Sequence, residues 1–289
     1  MSAVLSSTPR VGSAVDPAAG AVVVSATPQA RSAAPRVVPN GVISVLSVLG
    51  LFSIWWAATH VGVVDEMYLP SPESMFREMV ALIENGYKNV PLYQHVGASL
   101  MRTLSGFILG ALLGVPVGLM TGYSRVGGAM VSPIMAFIRP IPPIAFIPMA
   151  VLYFGLGETG KVALIFFTAF NYAHVNAHAG AASVPIAYYR AAQSIGLTRL
   201  QTFFRVVLPA TIPAIFTGLK VAMALSWAVV VAAELVGAQR GLGFMISDAA
   251  QLFRIPVVFI GIALIGLIGL LLNMALSAAE AKLVHWKGR

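Results

Sequence analysis

The sequence predicts an all-α, polytopic membrane protein of about six transmembrane helices. Three observations carry that prediction. Hydrophobic residues make up 58% of the 289 residues and charged residues 10%, where a soluble domain carries about 25% charged residues. Mean hydropathy is +0.86. Apolar runs of about 20 residues, the length a helix needs to cross a bilayer at ~1.5 Å rise per residue, recur along the chain. Cysteine is absent, which excludes disulfides, thiol catalysis and cysteine metal sites.

Residues 1–40, rich in Ala, Ser, Pro and Val, read as a disordered cytoplasmic N-terminal tail. Their longest apolar run, Ala21 to Val24, is too short for a signal-peptide core. The rest, 41–289, reads as one membrane domain with spans near 41–63, 98–122, 128–153, 161–182, 210–236 and 256–280. The third, fourth and fifth spans carry polar or proline interruptions, which must face protein or a cavity because lipid satisfies no backbone group. Between the first two, Ser71 followed by Pro72 marks a helix start. Met75, Met79, Leu82 and Ile83 then share one face of a short amphipathic helix on the outer surface.

The basic residues set the orientation. With the N-terminus inside, ten fall on inner segments (Arg10, Arg31, Arg36, Arg125, Arg190, Arg199, Arg205, Lys282, Lys287, Arg289) and five outside (Arg77, Lys88, Lys161, Arg240, Arg254). Both termini are therefore expected in the cytoplasm. The net charge of +8 is explained by topology and by contact with anionic membrane lipid, with no nucleic acid needed.

Several motifs carry two readings. Gly155-Leu-Gly-Glu-Thr-Gly-Lys-Val nearly fits a phosphate-binding loop, but Val162 offers magnesium no hydroxyl and Glu158 places negative charge where phosphates would lie. It is expected to be a tight turn between spans, so that this chain hydrolyses no ATP. His174 and His178 share a helix face and suit a metal by spacing, yet no carboxylate or thiolate completes the set; hydrogen bonding between helices is the expected role. Lys220 is expected to reach toward the inner surface. Glu234 within the fifth span reads equally as structural or functional, with Arg102 or Arg139 as partner. Arg139 opens Arg-Pro-Ile-Pro-Pro-Ile-Ala-Phe-Ile-Pro, 139–148, whose four prolines remove four backbone donors inside a span. The freed carbonyls suit the lining of a path.

The most specific stretch is 188–209, Tyr-Tyr-Arg-Ala-Ala-Gln-Ser-Ile-Gly-Leu-Thr-Arg-Leu-Gln-Thr-Phe-Phe-Arg-Val-Val-Leu-Pro. Ala191, Ala192 and Gly196 place small side chains on a helix, where another protein's groove can approach closely. Phe203, Phe204, Val206 and Val207 are suited to anchor the next segment in the membrane core. Pro209 then begins the fifth span.

This stretch resembles the cytoplasmic motif of binding-protein-dependent ABC importer permeases. That motif has Glu-Ala-Ala, three residues, Gly, nine residues, Ile, one residue, Leu-Pro. Ala191, Ala192, Gly196, Val206 in the Ile place, Leu208 and Pro209 fit its spacing, and Arg190 stands where the family has Glu. The 139–148 run, Phe154-Gly-Leu-Gly-Glu-Thr-Gly-Lys, Ala232-Ala-Glu-Leu and Gly241-Leu-Gly-Phe-Met resemble the taurine, sulfonate and nitrate permease branch. The closing Leu283-Val-His-Trp-Lys-Gly is similar to taurine permeases in particular. The resemblance covers about 45–289.

It implies a type I ABC importer permease fold in a bacterial cytoplasmic membrane, with a coupling helix about 188–205. It implies a permease homodimer with two ATP-binding cassette ATPase subunits that bind the ATP and magnesium, and an extracytoplasmic solute-binding protein; the chain itself holds no cofactor or metal and is no enzyme. Coupling falls to Arg190, Ala191, Ala192, Gly196, Leu208 and Pro209; Arg139, Asn171, Trp227 and Glu234 are assigned to the translocation pathway. The expected solute is taurine or another alkanesulfonate, with nitrate, an aromatic acid or another small solute as alternatives. An ion-coupled secondary transporter would not need the 190–209 stretch. A membrane enzyme built on the histidine pair would retain a metal.

Overall fold

The computed structural model describes residues 40–284. The readings of 1–39 as a disordered tail and of the final 285–289 motif lie outside the described residues. The chain divides into two compact units, Met1–Gly50 and Leu51–Arg289. Of the first, the described part is the opening half of helix α1 (Asn40–His60), with residues 41–50 all exposed.

The second unit is a helical bundle; among the described residues there is no strand, only an isolated Tyr87–Val90 bridge. Two tryptophans tie the end of α1 to residues 70–73: Trp55 Nε1 donates to the Pro70 carbonyl at 3.1 Å and Trp56 Nε1 to Glu73 Oε1 at 2.8 Å. Helix α2 (Pro72–Asn85) starts as expected, with Ser71 Oγ accepting from the Ser74 amide. Its Met75, Met79 and Leu82 pack into the core. Ile83 was expected on the same face but is 65% exposed, turned beyond the edge of a narrow apolar stripe.

Two long helices, α3 (Leu92–Tyr123) and α6 (Glu158–Ala182), form the centre of the bundle. Their approach is set by glycines every fourth residue on α3: Gly106, Gly110, Gly114, Gly118 and Gly122. A Cβ at Gly110 would lie 2.6 Å from the Ala169 Cβ, and one at Gly114 would lie 2.6 Å from the Phe170 carbonyl oxygen. One at Gly118 or Gly122 would meet the carbonyls of His174 or His178. On α6 the facing positions are Ile165, Ala169, Ala173, Ala177 and Ala181, all buried. Lipid is as apolar as leucine, so small residues that bring backbones together are what favours helix association here. Each glycine costs roughly 0.5–1 kcal/mol of helix propensity against alanine. The close packing of the two helices offsets that cost.

Between them, the expected third span is broken. Helix α4 (Arg125–Ile138) ends before Pro140. A 3-10 turn (Pro143–Phe146) leads into α5 (Ile147–Phe154), and the two arms are bent by 83°. Pro140, Pro142 and Pro143 supply no amide donors to continue α4. The fourth expected span forms as α6, yet among the described residues four helical stretches, 41–60, 92–123, 199–234 and 255–283, are long and apolar enough to cross a membrane, five counting the bent pair. The count falls short of six because Thr168, Asn171, His174, Asn176 and His178 lower the apolarity of α6. Of these, Thr168, Asn171 and His174 are buried within the bundle.

After α6 come α7 (Ile186–Ser194), a single turn α8 (Arg199–Thr202), a π-helical turn (Phe203–Val207) and α9 (Leu208–Glu234). The helix therefore runs unbroken from Arg199 to Glu234, and the span does not begin at Pro209 as expected. The π-turn accommodates the proline: Leu208 N bonds Phe203 O, and Pro209 has no donor to miss. Helix α10 (Leu242–Gln251) and the strongly apolar α11 (Ile255–Leu283) complete the unit.

Candidate functional site

The segment proposed for docking is two short helices. A continuous coupling helix over about 188–205 was expected, but α7 ends at Ser194 because Gly196 takes φ +78°, a left-handed conformation. The Leu197 amide closes that end on the Ala192 carbonyl at 3.0 Å. Thr198 then caps α8 in a reciprocal box with Gln201, its Oγ1 accepting from the Gln201 amide while Gln201 Oε1 accepts from the Thr198 amide. Arg190, Ala191 and Gly196 are exposed, and nothing lies within 4 Å of a Cβ placed on Gly196. Ala192 is buried and faces the bundle. Leu208 and Pro209 are half-buried on the helix behind.

What fastens this segment to the bundle is an aromatic cluster that sequence reasoning missed. Tyr123, the last residue of α3, donates through its hydroxyl to the Arg199 carbonyl at 3.0 Å. Its ring stacks on Tyr189 and meets Phe203 edge-on, with centroids 6.1 and 5.3 Å away. Val207 is fully buried beneath them. Burial, and secondarily the neighbouring Tyr123, pushes the Tyr189 phenol above its ordinary range. Phe204, expected to help anchor the next segment in the membrane core, is 56% exposed, and its ring meets Phe203 edge-on at 5.1 Å.

The four residues assigned to a pathway separate into three places. Arg139 and Asn171 line one cavity of about 230 Å³, with Tyr172, Asn176, Val221 and the proline break. Trp227 is buried and donates to the Ile265 carbonyl at 3.0 Å. Glu234 is buried in a polar lock at the opposite end of α9 from Pro209. Arg102, not Arg139, is its partner: Nη1 reaches Glu234 Oε1 at 2.7 Å and the Arg240 carbonyl at 2.7 Å. The same guanidinium makes a fork with Glu158, Nη2 to Oε1 at 2.7 Å and Nε to Oε2. Ser99 donates to Glu234 at 2.7 Å and accepts from the Leu242 amide at 2.9 Å, while the Gly243 amide donates to Glu234 Oε2 at 2.9 Å. Gly241 leaves room, for a Cβ there would fall on the Glu234 carboxylate. Each oxygen of the buried carboxylate thus has donors, as burial of charge requires.

The remaining motifs are structural. In the lookalike loop, Lys161 Nζ donates to the carbonyls of Leu156 and Gly157 at 2.6 and 3.2 Å, and Glu158 is taken by Arg102. The free space beside Lys161 is about 10 Å³, near the lower bound for one water and far too small for a phosphate chain. His174 and His178 converge on the Thr121 hydroxyl at 3.2 and 3.0 Å, linking α6 to α3. No group of three potential metal ligands forms among the described residues. Lys220 pairs with Glu280 on α11 instead of simply extending toward a surface.

Comparison with known proteins gives this arrangement a context. Residues 94–285 match the family model described as binding-protein-dependent transport system inner membrane component. The taurine transport system permease protein TauC of Escherichia coli is 36% identical over 247 residues, 85% of this chain and 90% of that one. The bicarbonate transport system permease protein CmpB of Synechococcus elongatus is 32% identical over 243 residues, 81% and 86% of the two chains. The putative aliphatic sulfonates transport permease protein SsuC of Bacillus subtilis is 31% identical over 237 residues, 82% and 84%. A solved structure of the MetNI methionine ABC transporter in inward-facing conformations aligns with TM-score 0.57 at 20% identity, covering 68% of this chain and 96% of that chain.

Proposed function

The chain belongs to the family of binding-protein-dependent transport system inner membrane components, the permeases of ABC transport systems, and from that premise we propose that it imports a small sulfonate such as taurine. The observation that carries the import mechanism is α7: a short helix that exposes Arg190 and Ala191, closed by the exposed Gly196 and fastened through Tyr123 to the end of α3. A separate ATPase subunit grips that helix. When two such subunits close on ATP, α7 and α8 move with them, and Tyr123 and the unbroken Arg199–Glu234 helix carry the displacement into α3 and α9. The permease acts as a homodimer, both termini are cytoplasmic, and a binding protein delivers solute from outside. ATP in the partners supplies the free energy; this chain supplies two packings that the partners bias.

Sulfonate as the cargo is supported by the taurine and aliphatic-sulfonate relatives. Bicarbonate is the second reading, favoured by the CmpB relative at 32% identity. The test is to co-express the chain with an ATPase and a binding protein of the same importer class, and to measure ATP-driven uptake of labelled taurine and bicarbonate into proteoliposomes. Taurine uptake that requires all three components is the expected result. Uptake driven by an ion gradient with no ATPase bound would overturn the reading.

A further inference from the structure

The cavity between the α4–α5 break, α6 and α9 is lined by two chemically different kinds of polar group. One is Arg139. Its guanidinium has no hydrogen-bond or ion-pair partner among the described residues, and the prolines after it hold the backbone out of helix. Five N–H donors in a fixed fork match an oxyanion such as a sulfonate. The other is the pair of side-chain amides of Asn171 and Asn176. Each side-chain amide nitrogen is fixed on its own helix, donating to the carbonyls of Phe167 and Tyr172 at 2.9 and 2.8 Å. A carbonyl only accepts, so these bonds settle which way each amide is turned. The two Oδ1 atoms accept from no described residue, and neither is sealed within the protein. They are open acceptors on the cavity. Gly218 of α9 preserves the space, since a Cβ there would fall on the Asn176 side chain.

We propose that this cavity is a two-pole site for a small zwitterion: the anionic group on Arg139, and an ammonium donating to Oδ1 of Asn171 or of Asn176. The proposal deepens the permease reading and rests on it for the passage of solute. No carboxylate lines the cavity, so the site is cationic overall and rejects a lone amine. A plain alkanesulfonate fills the anion pole and leaves both acceptors unpaired. That loss corresponds to at least about a tenfold weaker affinity.

The test uses the full chain co-purified with its ATPase in lipid nanodiscs, read by saturation-transfer NMR with taurine, ethanesulfonate and ethylamine as probes. Taurine should be saturated, ethanesulfonate at least about tenfold less avidly, and ethylamine not at all. Arg139→Gln, an exposed position outside the helices, should abolish the taurine signal. Asn171→Leu with Asn176→Leu should lower taurine to the ethanesulfonate level and leave ethanesulfonate unchanged. A taurine signal that survives Arg139→Gln, or equal binding of taurine and ethanesulfonate by the unsubstituted chain, overturns the site. Uptake measured on the same preparation keeps the two ideas apart. ATP-driven transport without Arg139-dependent binding defeats the site alone, and Arg139-dependent binding by a chain that recruits no ATPase defeats the permease reading.

Discussion

Arg102 Nη1 lies 2.7 Å from Glu234 Oε1, joining two helices 132 residues apart in sequence, with the Glu234 side chain fully enclosed and that of Arg102 7% exposed. Breaking a buried pair from one side costs about 3–5 kcal/mol because it strands a charge. Glu234→Ala should therefore lower unfolding stability in detergent by about that amount. Glu158 shares the same guanidinium but its side chain is 64% exposed, so Glu158→Ala should cost at most ~1 kcal/mol. Chemical denaturation of the two variants checks the order; equal losses would mean that the lock does not depend on burial.

The glycine stripe makes a graded prediction. Gly114→Ala and Gly118→Ala place a methyl against α6 backbone that cannot yield, and overpacking of this kind costs about 1–3 kcal/mol. Gly97 and Gly266 sit in helices with nothing within 4 Å of an added Cβ. There alanine should stabilise by about 0.4–1 kcal/mol. Thermal midpoints by size-exclusion chromatography should move in opposite directions for the two sets.

The stripe also shows what was hard to read in the sequence. A membrane span is apolar all round, so hydrophobic periodicity does not mark the buried face, and only the four-residue spacing of glycine does. Helix positions, the Ser71 cap and the family motif over 190–209 were legible because length, cap chemistry and motif spacing are local. The Arg102–Glu234 pair and the Tyr123 clamp were not, because each needs the topology that brings distant residues together. The break at Gly196 was missed for a different reason: a small residue on a helix and a left-handed residue ending it carry the same letter.

That double role of Gly196 gives a discriminating experiment. Its φ of +78° strains any L side chain by roughly 1–2 kcal/mol, and asparagine less than most. Within this chain there is room for any of them. Gly196→Asn should keep most uptake and Gly196→Ala should lose a fraction. Gly196→Trp should abolish uptake while still inserting into the membrane, because the excess bulk meets only a partner. Normal transport by the tryptophan variant would show that no partner approaches there.

Stability should also depend on pH through a cluster outside the long helices. Asp248 accepts from Lys88 Nζ and from the Tyr87 hydroxyl, each at 2.7 Å. The Lys88 bond holds the Asp248 carboxyl below its ordinary value despite partial burial. A depressed carboxylate stabilises the fold above the unfolded value, about 3.9, and that contribution is lost as pH falls through the folded one. Burial, then Asp248, raises the Tyr87 phenol. Its contribution is complete below the unfolded value, about 10, and declines as pH rises beyond it. Asp248→Asn should flatten the acid limb of a stability profile and, because Asp248 helps raise the Tyr87 phenol, weaken the alkaline limb as well; Tyr87→Phe should flatten the alkaline limb and keep the part of the acid limb that Lys88 supports.

Lys161 tests the lookalike loop. Its ammonium is 2.6 Å from the Leu156 carbonyl in a space of about 10 Å³, so it serves the turn between α5 and α6 and has no access to a nucleotide. Lys161→Ala removes a buried cation and strands two carbonyls, each costing about 1–3 kcal/mol when unpaired; stability should fall. ATPase activity of the assembled complex, normalised to folded protein, should stay within about twofold of the unsubstituted complex, since ~0.4 kcal/mol of transition-state energy corresponds to that factor. A collapse of nucleotide binding to the isolated chain, with the fold intact, would instead place a nucleotide where the geometry leaves no room for one.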